Sequence, residues 1–350
     1  MDQIEKLVRP NIRKLVPYRS AREQFNNMDL TLLDANENAL GSVGNPDPLR
    51  RYPDPYQKQV KKEISKLYNL PESNIFLGNG SDEIIDLLIR VFCQPGQDEV
   101  MTTAPTYGMY QVSAQINDVS VAYVRMDEHF DLVADKVLEA AKEQTKIIFL
   151  CSPNNPTGNL LNKQEIQKVL EKFTGMVVID EAYIDFADQD TLASWCLEYP
   201  RLVVMQTFSK SWGLAGIRLG MAFASEGVIH YLNKVKPPYN VNQLSQEAAL
   251  NALANAEEKK RLVDDILVQR ACLREKLLEL PTVLHIYPSQ SNFLLVKMTE
   301  PEQIYSYLHK NDLIVRDRSK VVMCEGCLRI TVGNSKENKL LIEVLEKYHS

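Results

Sequence analysis

The residues with the clearest chemical potential lie in Thr207-Phe208-Ser209-Lys210-Ser211-Trp212-Gly213-Leu214-Ala215-Gly216-Ile217-Arg218. This stretch places hydroxyls at 207, 209 and 211 around one lysine and ends on an arginine. Hydroxyls and two cations on a turn suit a phosphate, and they set an amine beside it. A desolvated lysine amine is a good Schiff-base nucleophile, because burial disfavours its charged form. Together these properties suit a phosphorylated aldehyde, and the working expectation is that Lys210 carries pyridoxal phosphate. A lone loop lysine is more often simply solvated, so the reading depends on what else the chain brings to it.

Other residues have types that would complete such a site. A carboxylate at a pyridine nitrogen keeps it protonated and makes the ring an electron sink; Asp180 suits that place. Tyr183 and Asn155 are a phenol and an amide suited to the ring's 3-oxygen. Gly78-Asn79-Gly80-Ser81-Asp82-Glu83 opens a helical pattern with Ser81 as its expected N-cap. Its free N–H groups could cup a phosphate, together with Thr207, Ser209 and Arg218. Taken alone, such a stretch is more often just a helix cap. Tyr107 is placed to stack on a ring.

The elements that must position these groups can be read from hydrophobic periodicity. The runs Ile75–Leu77, Glu99–Thr102, Val119–Val124, Lys146–Leu150, Met176–Ile179, Leu202–Gln206 and Met221–Ala224 read as strands, and helical patterns lie between most of them. Such alternation predicts a mostly parallel sheet with helices on both faces. Ligands of these sheets bind beyond the carboxyl ends of the strands. Asn155, Asp180 with Tyr183, and Lys210 all follow strands, so they should meet in one crevice. Leu30–Leu33 reads as a short strand, and 41–56 as a fixed loop containing Arg51-Tyr52-Pro53-Asp54-Pro55. After Pro237-Pro238 comes one long helical stretch, about 243–280. A smaller alternating segment follows, with strands including Leu313–Arg316 and Cys327–Val332.

Composition excludes several classes. The 350 residues are 45% hydrophobic and 25% charged, with net charge −6 and scattered basic residues. That is the balance of an ordinary globular protein, and nothing suggests a nucleic-acid or membrane partner. The opening Met1-Asp2-Gln3-Ile4-Glu5-Lys6 does not read as a signal peptide, and the expected location is the cytoplasm. Cys324 and Cys327 form a CxxC with no second pair, so they read as reduced cysteines with no metal role.

Ser152-Pro153-Asn154-Asn155-Pro156-Thr157-Gly158, Asp180-Glu181-Ala182-Tyr183, Ser209-Lys210 and Gly216-Ile217-Arg218 resemble the motifs of the fold-type I pyridoxal phosphate-dependent aminotransferases. Within that family, Asp34-Ala35-Asn36-Glu37-Asn38, Arg51-Tyr52-Pro53-Asp54-Pro55, Gly80-Ser81-Asp82-Glu83, Ala104 to Tyr110 and Gly326 to Gly333 resemble the histidinol-phosphate branch. The resemblance implies an α/β fold with a large, mostly parallel, cofactor-binding domain over 35–255. It also implies a smaller α/β domain over 256–350 and an N-terminal arm, 1–34, packed with the small domain. Lys210 would bind pyridoxal 5'-phosphate and later move a proton. Asp180 would bind the pyridine nitrogen, and Asn155 and Tyr183 the 3-oxygen. Gly80, Ser81, Asp82, Thr207, Ser209 and Arg218 would hold the phosphate, and Tyr107 would face the ring. Tyr52 would reach the cofactor phosphate of a second subunit, making a homodimer. Arg329 would hold the α-carboxylate of glutamate. Arg316, with Tyr18, would hold the distal group of the substrate, Arg318 being an alternative anchor, and Asn36 would wall the substrate side. The implied reaction moves the amino group of glutamate to imidazole acetol phosphate, giving 2-oxoglutarate and histidinol phosphate, in histidine biosynthesis. An aromatic aminotransferase or a threonine-phosphate decarboxylase would use nearly the same cofactor residues. A cofactor-binding regulator is a further, non-enzymatic alternative.

Overall fold

Seven apolar runs assemble into one sheet. The structure, a computed structural model, describes residues 3–18, 31–44 and 47–348. The strands of the large sheet are β1 (Ile75–Asn79), β2 (Glu99–Ala104), β3 (Ser120–Arg125), β4 (Thr145–Cys151), β5 (Met176–Asp180), β6 (Leu202–Thr207) and β7 (Leu219–Ala224). Their order is β1-β7-β6-β5-β4-β2-β3. The pairs among β2 to β6 are parallel, and β7 alone runs against its neighbours β1 and β6.

β5, β6 and β7 are buried at every position, as expected of aliphatic strands covered on both faces. Successive residues point to opposite faces, and the two cores record this. Val177 and Ile179 join Leu202 and Val204 on one face. Met176 and Val178 join Val203 and Met205 on the other. The first face is covered by helices that include α2 (Lys58–Tyr68), α5 (Ala134–Ala140) and α6 (Lys163–Lys172). The second is covered by α3 (Gly80–Phe92), α4 (Met109–Ile116) and α7 (Glu226–Val235). Asp180 is in phase with Met176 and Val178, so its side chain is directed to the α3–α4 side.

The described start of the chain also lies on this second face. Ile4 and Val8, which precede α1 (Pro10–Lys14), are buried among Phe76, Ile84 and Leu88. Lys234 Nζ donates to the Arg13 carbonyl at 2.9 Å. These residues therefore pack on the large sheet, not on the small domain as the sequence suggests. A short amphipathic piece takes whichever apolar face its neighbours leave open, and that choice is non-local. Thr31 to Leu33 form no strand; Leu30 lies outside the described residues.

The expected long helix is two helices, α8 (Gln243–Leu253) and α9 (Ala256–Leu278). Asn255 has left the helical region (φ −117, ψ 36), and its amide donates to the Asn251 carbonyl at 2.7 Å. Asparagine competes for backbone groups in this way, which ends α8. Next come β8 (Val283–Ile286), β9 (Phe293–Met298), α10 (Pro301–Lys310), β10 (Arg316–Asp317), β11 (Cys327–Thr331) and α11 (Ser335–Glu346). The strand expected at 313–316 is reduced to the two residues of β10. The antiparallel small sheet has the order β10-β11-β9-β8. Leu294, Val296, Leu328 and Ile330 face the core shared with α9, α10 and α11. Arg329 is in the opposite phase, and Arg316 lies across from it in register. Both guanidinium groups thus leave the helix-covered face. No helix among the described residues is long and apolar enough to cross a membrane.

Candidate active site

The carboxyl ends of β1, β2, β4, β5 and β6 open on one cavity of about 740 Å³. Lys210, Asp180, Asn155, Tyr183, Tyr107, Ser81, Asp82, Thr207, Ser209 and Arg218 line it from the large sheet, and Arg316, Arg318 and Arg329 from the small one. Because β7 is antiparallel, its first residue, Leu219, lies at this same end and brings Arg218 with it.

Gly80 is the first residue of α3, and the capping position falls on Asn79. Ser81 is therefore inside the first turn and is not the cap that the sequence suggests. Asn79 N–H donates to Glu83 Oε2 at 2.5 Å, so a carboxylate four residues on answers the first orphan donor. Arg218, with φ +52, lies across this helix start. Its Nη1 donates to Ser209 Oγ at 3.5 Å and its Nη2 is 3.5 Å from Asp82 Oδ2. Thr207 Oγ1 lies 3.0 Å from Ser209 Oγ and accepts from Ser209 N–H at 3.1 Å. Tyr107 donates to Asp82 Oδ1 at 3.2 Å. The Asp82 carboxylate is engaged by Arg218 and Tyr107, so its useful donor for an anion is the backbone N–H. Helix start, hydroxyls and guanidinium together form an anion cup.

Two glycines shape the cup. A Cβ on Gly80, which has φ +76, would meet Arg218 Nη2 at 2.7 Å. A Cβ on Gly220 would meet Ser81 N at 2.4 Å and the Gly80 carbonyl carbon at 2.5 Å. The second contact is backbone and cannot swing aside. Gly220→Ala is expected to cost about 1–3 kcal/mol by overpacking and to weaken inorganic phosphate binding. Thermal unfolding and phosphate titration check this, and unchanged phosphate affinity would contradict the cup.

Asp180 is 3% exposed. Its Oδ2 accepts from Tyr110 Oη at 2.9 Å and its Oδ1 from Ala182 N–H at 3.1 Å. Burial raises its pKa to about 6, against the lowering effect of those two hydrogen bonds. Tyr110 is fully buried on α4 and stacked on Phe149 at 4.9 Å. Tyr110 closes the motif Ala104 to Tyr110, where nothing local gives it a role. The signal was available, since α4 covers the face to which the phase of β5 directs Asp180. Cys151 was also passed over. It lies opposite Asp180 in register and lines the cavity, and burial raises its thiol pKa.

Lys210 opens directly into the cavity. Its amine lies 5.7 Å from the centroid of the Tyr183 ring. The surrounding walls lower its pKa, first by desolvation and then through Arg329 and Arg218. Asn155 Nδ2 donates to Tyr183 Oη at 3.5 Å, and Asn155 Oδ1 accepts from Arg329 Nη1. Arg329 also lies over Phe293, 5.1 Å from the ring centroid, and its buried Nε has no partner among the described residues. Arg316 and Arg318 share its cavity wall. None of the three forms an ion pair among the described residues.

The donor set suits a phosphorylated heterocyclic aldehyde: an anion cup, a buried carboxylate for a ring N–H, an amide–phenol pair, and an amine of lowered pKa. The structure does not bring every expected residue here. Tyr52 and Asn36 line a second cavity of about 570 Å³, where Tyr52 stacks on Tyr239 at 4.5 Å. Tyr18 is 73% exposed and lines neither cavity. No group of three or more His, Cys, Asp or Glu among the described residues is arranged to hold a metal ion.

Comparison with known proteins agrees with this geometry. Residues 24–345 match a family described as aminotransferase class I and II. A histidinol-phosphate aminotransferase from Cytophaga hutchinsonii is 51% identical over 99% of both chains. One from Bacteroides fragilis is 49% identical over 99% of this chain and all of its own. Among solved structures, histidinol-phosphate aminotransferase from Sinorhizobium meliloti in complex with pyridoxal-5'-phosphate superposes with TM-score 0.79. At 21% identity and 89% coverage of both chains, it speaks for the fold.

Proposed function

The chain belongs to the class I and II aminotransferases, and on that premise we propose that it moves the amino group of glutamate to imidazole acetol phosphate. The products are 2-oxoglutarate and histidinol phosphate, and the reaction serves histidine biosynthesis. Whole-length relatives with this activity support the reading. The observation that carries it in the geometry is that Arg316, Arg318 and Arg329 line the same cavity as Lys210. Three guanidinium groups without carboxylate partners among the described residues suit substrates bearing a carboxylate or a phosphate.

The cofactor in this reading is pyridoxal 5'-phosphate. When bound, it supplies an electron sink for the pair released at the substrate's Cα and carries the amino group between two half-reactions. The residues around it have separable tasks. The cup of Gly80, Ser81, Asp82, Thr207, Ser209 and Arg218 would hold the phosphate. Asp180 would hold the proton on the ring nitrogen, and Tyr110 would keep its carboxylate oriented. Asn155 and Tyr183 would donate to the 3-oxygen. Lys210 would hold the aldehyde carbon and, once released, take the proton from Cα. Its lowered pKa suits that work, because an amine must be neutral to accept a proton. Arg329 would bind the α-carboxylate of glutamate, and Arg316 or Arg318 the distal anion. We assign Tyr52, Asn36 and Tyr18 to the neighbouring site of a homodimer, since none of them lines the cavity that holds Lys210. The division into 35–255 and 256–350 belongs to the same proposal, with α9 opening the smaller part.

Turnover assays of the cofactor-loaded protein test the reading. With glutamate as donor, kcat/KM for imidazole acetol phosphate should exceed that for phenylpyruvate by about 10²-fold or more. O-phospho-threonine should not be decarboxylated. No activity with the phosphorylated ketone would overturn the assignment.

A further inference from the structure

The turn that carries Lys210 closes partly on itself. Gly213 N–H donates to the Lys210 carbonyl at 3.1 Å, and Leu214 N–H to the Phe208 carbonyl at 3.0 Å. These bonds shape the turn but do not anchor it to anything outside. Phe208 N–H donates to the Leu219 carbonyl at 3.0 Å at its start, and a further anchor is on its outer side. Ser211, 5% exposed, donates through Oγ to Asp185 Oδ2. Asp185 Oδ1 accepts from Lys259 Nζ at 2.8 Å. The same ammonium lies 4.7 Å from the centroid of the Trp212 ring. The two residues that follow Lys210 are therefore both held by one cation.

That cation reaches a second catalytic turn as well. Asp185 belongs to the 3-10 turn Ile184–Phe186, directly after Tyr183. Lys259 itself belongs to neither turn, because it lies in the first turn of α9. Farther along, α9 is pinned to the same 3-10 turn. Arg270 Nη1 donates to the Phe186 carbonyl at 3.3 Å and to the Ser291 carbonyl at 2.7 Å. Val263 joins Tyr183, Phe186 and Phe293 in one apolar cluster. The Lys259 and Asp185 side chains are only 17% and 25% exposed, so solvent screens the pair less than it would a surface pair. A cation over an indole face adds to the hold.

We propose that Lys259, acting through Asp185 and Trp212, is a positioning residue for Lys210. It fixes the turn after β6 against the turn after β5, and so sets the direction of the Lys210 amine relative to Tyr183. Because Lys259 sits on α9, the amine's direction also follows the helix that opens the C-terminal part of the chain. The inference rests on the proposed role of Lys210 but adds residues outside the cavity.

The test compares Lys259→Met and Lys259→Arg with wild type, as full-length cofactor-loaded protein. Three readouts are taken: kcat and KM with glutamate, the melting temperature, and amide hydrogen exchange. Lys259→Met is expected to lower kcat by about tenfold, the scale of a small misplacement of a reacting group, with KM changed less than about twofold. Exchange should quicken at 209–214 and 184–186 and stay unchanged in β6 and β5. Lys259→Arg keeps the charge and should recover most of kcat. The proposal is overturned by kcat within about twofold of wild type, by equal losses in both variants, or by exchange that quickens uniformly as in global destabilisation. Wild-type turnover reports separately on the parent reading. If wild type does not transaminate, the exchange pattern still decides whether the clamp exists.

Discussion

The Lys210→Ala variant is expected to fold but to lose turnover by a factor of about 10⁴ or more, since in the proposed function one amine both holds the cofactor and moves the proton. Its absorption spectrum should lack the visible band of a lysine-bound cofactor. Noncovalent affinity for the cofactor should survive in part, because the phosphate cup and Asp180 are untouched. Arginine cannot substitute, since a guanidinium stays protonated at any working pH. The check is spectroscopy after cofactor addition, followed by borohydride reduction and peptide mapping. A wild-type band reducible onto another lysine would show that Lys210 is the wrong residue.

Asp180→Asn should produce opposite effects on catalysis and on stability. In the proposed site, removing the carboxylate would leave the ring nitrogen with no anionic partner in a buried place. Losses of that kind run to about 3–5 kcal/mol, so kcat should fall by about 10²–10⁴-fold. The cofactor-free protein should instead gain stability at neutral pH. Burial raises Asp180 to about 6, whereas an unfolded aspartate titrates near ~3.9. Between those values the folded chain binds the proton more tightly than the unfolded chain does. Stability therefore falls as pH rises through that window and stays lowered above it. Asparagine does not ionise, so the variant escapes this fall, and the gain at pH 7.5 should be about 1–3 kcal/mol. Glu181, raised by burial to about 7, remains in the variant and keeps its own fall over a wider window. Denaturation of both cofactor-free proteins across pH 4–8 decides the matter. Parallel curves would mean that Asp180 carries no buried charge.

Much of this site is legible in the sequence because its residues follow strands that advertise themselves. Met176 to Ile179 and Leu202 to Met205 are unbroken aliphatic runs, so the positions of Asp180 and Lys210 at strand ends follow from composition alone. The polarity of the sheet then forces Asn155, Asp180 and Lys210 together. Tyr110 escaped notice because its partner lies 70 residues away, and only the phase of β5 and the seat of α4 connect them. The break at Asn255 is equally quiet, since one asparagine in a helical pattern is tolerated more often than not. The seating of Ile4 and Val8 depends on which apolar face stays uncovered. Local pattern carries none of that information.

The antiparallel β7 has a consequence for how the molecule is made. In the sheet, β1 has β7 as its only neighbour among the described residues, and Asn79 lies opposite Leu219. These residues are 140 positions apart in the chain. As the chain leaves the ribosome, β2 to β6 can pair in turn, each with a strand already present or arriving next. β1 has no partner until β7 emerges, so it waits, apolar and unpaired, while the 140 positions between them are made. Closure over that separation carries a loop-entropy cost that nearby pairings avoid. The anion cup, built from the end of β1 and the start of β7, is thus completed among the last features of the large sheet. In a nascent chain the cup can close only once Gly220 has reached Ser81.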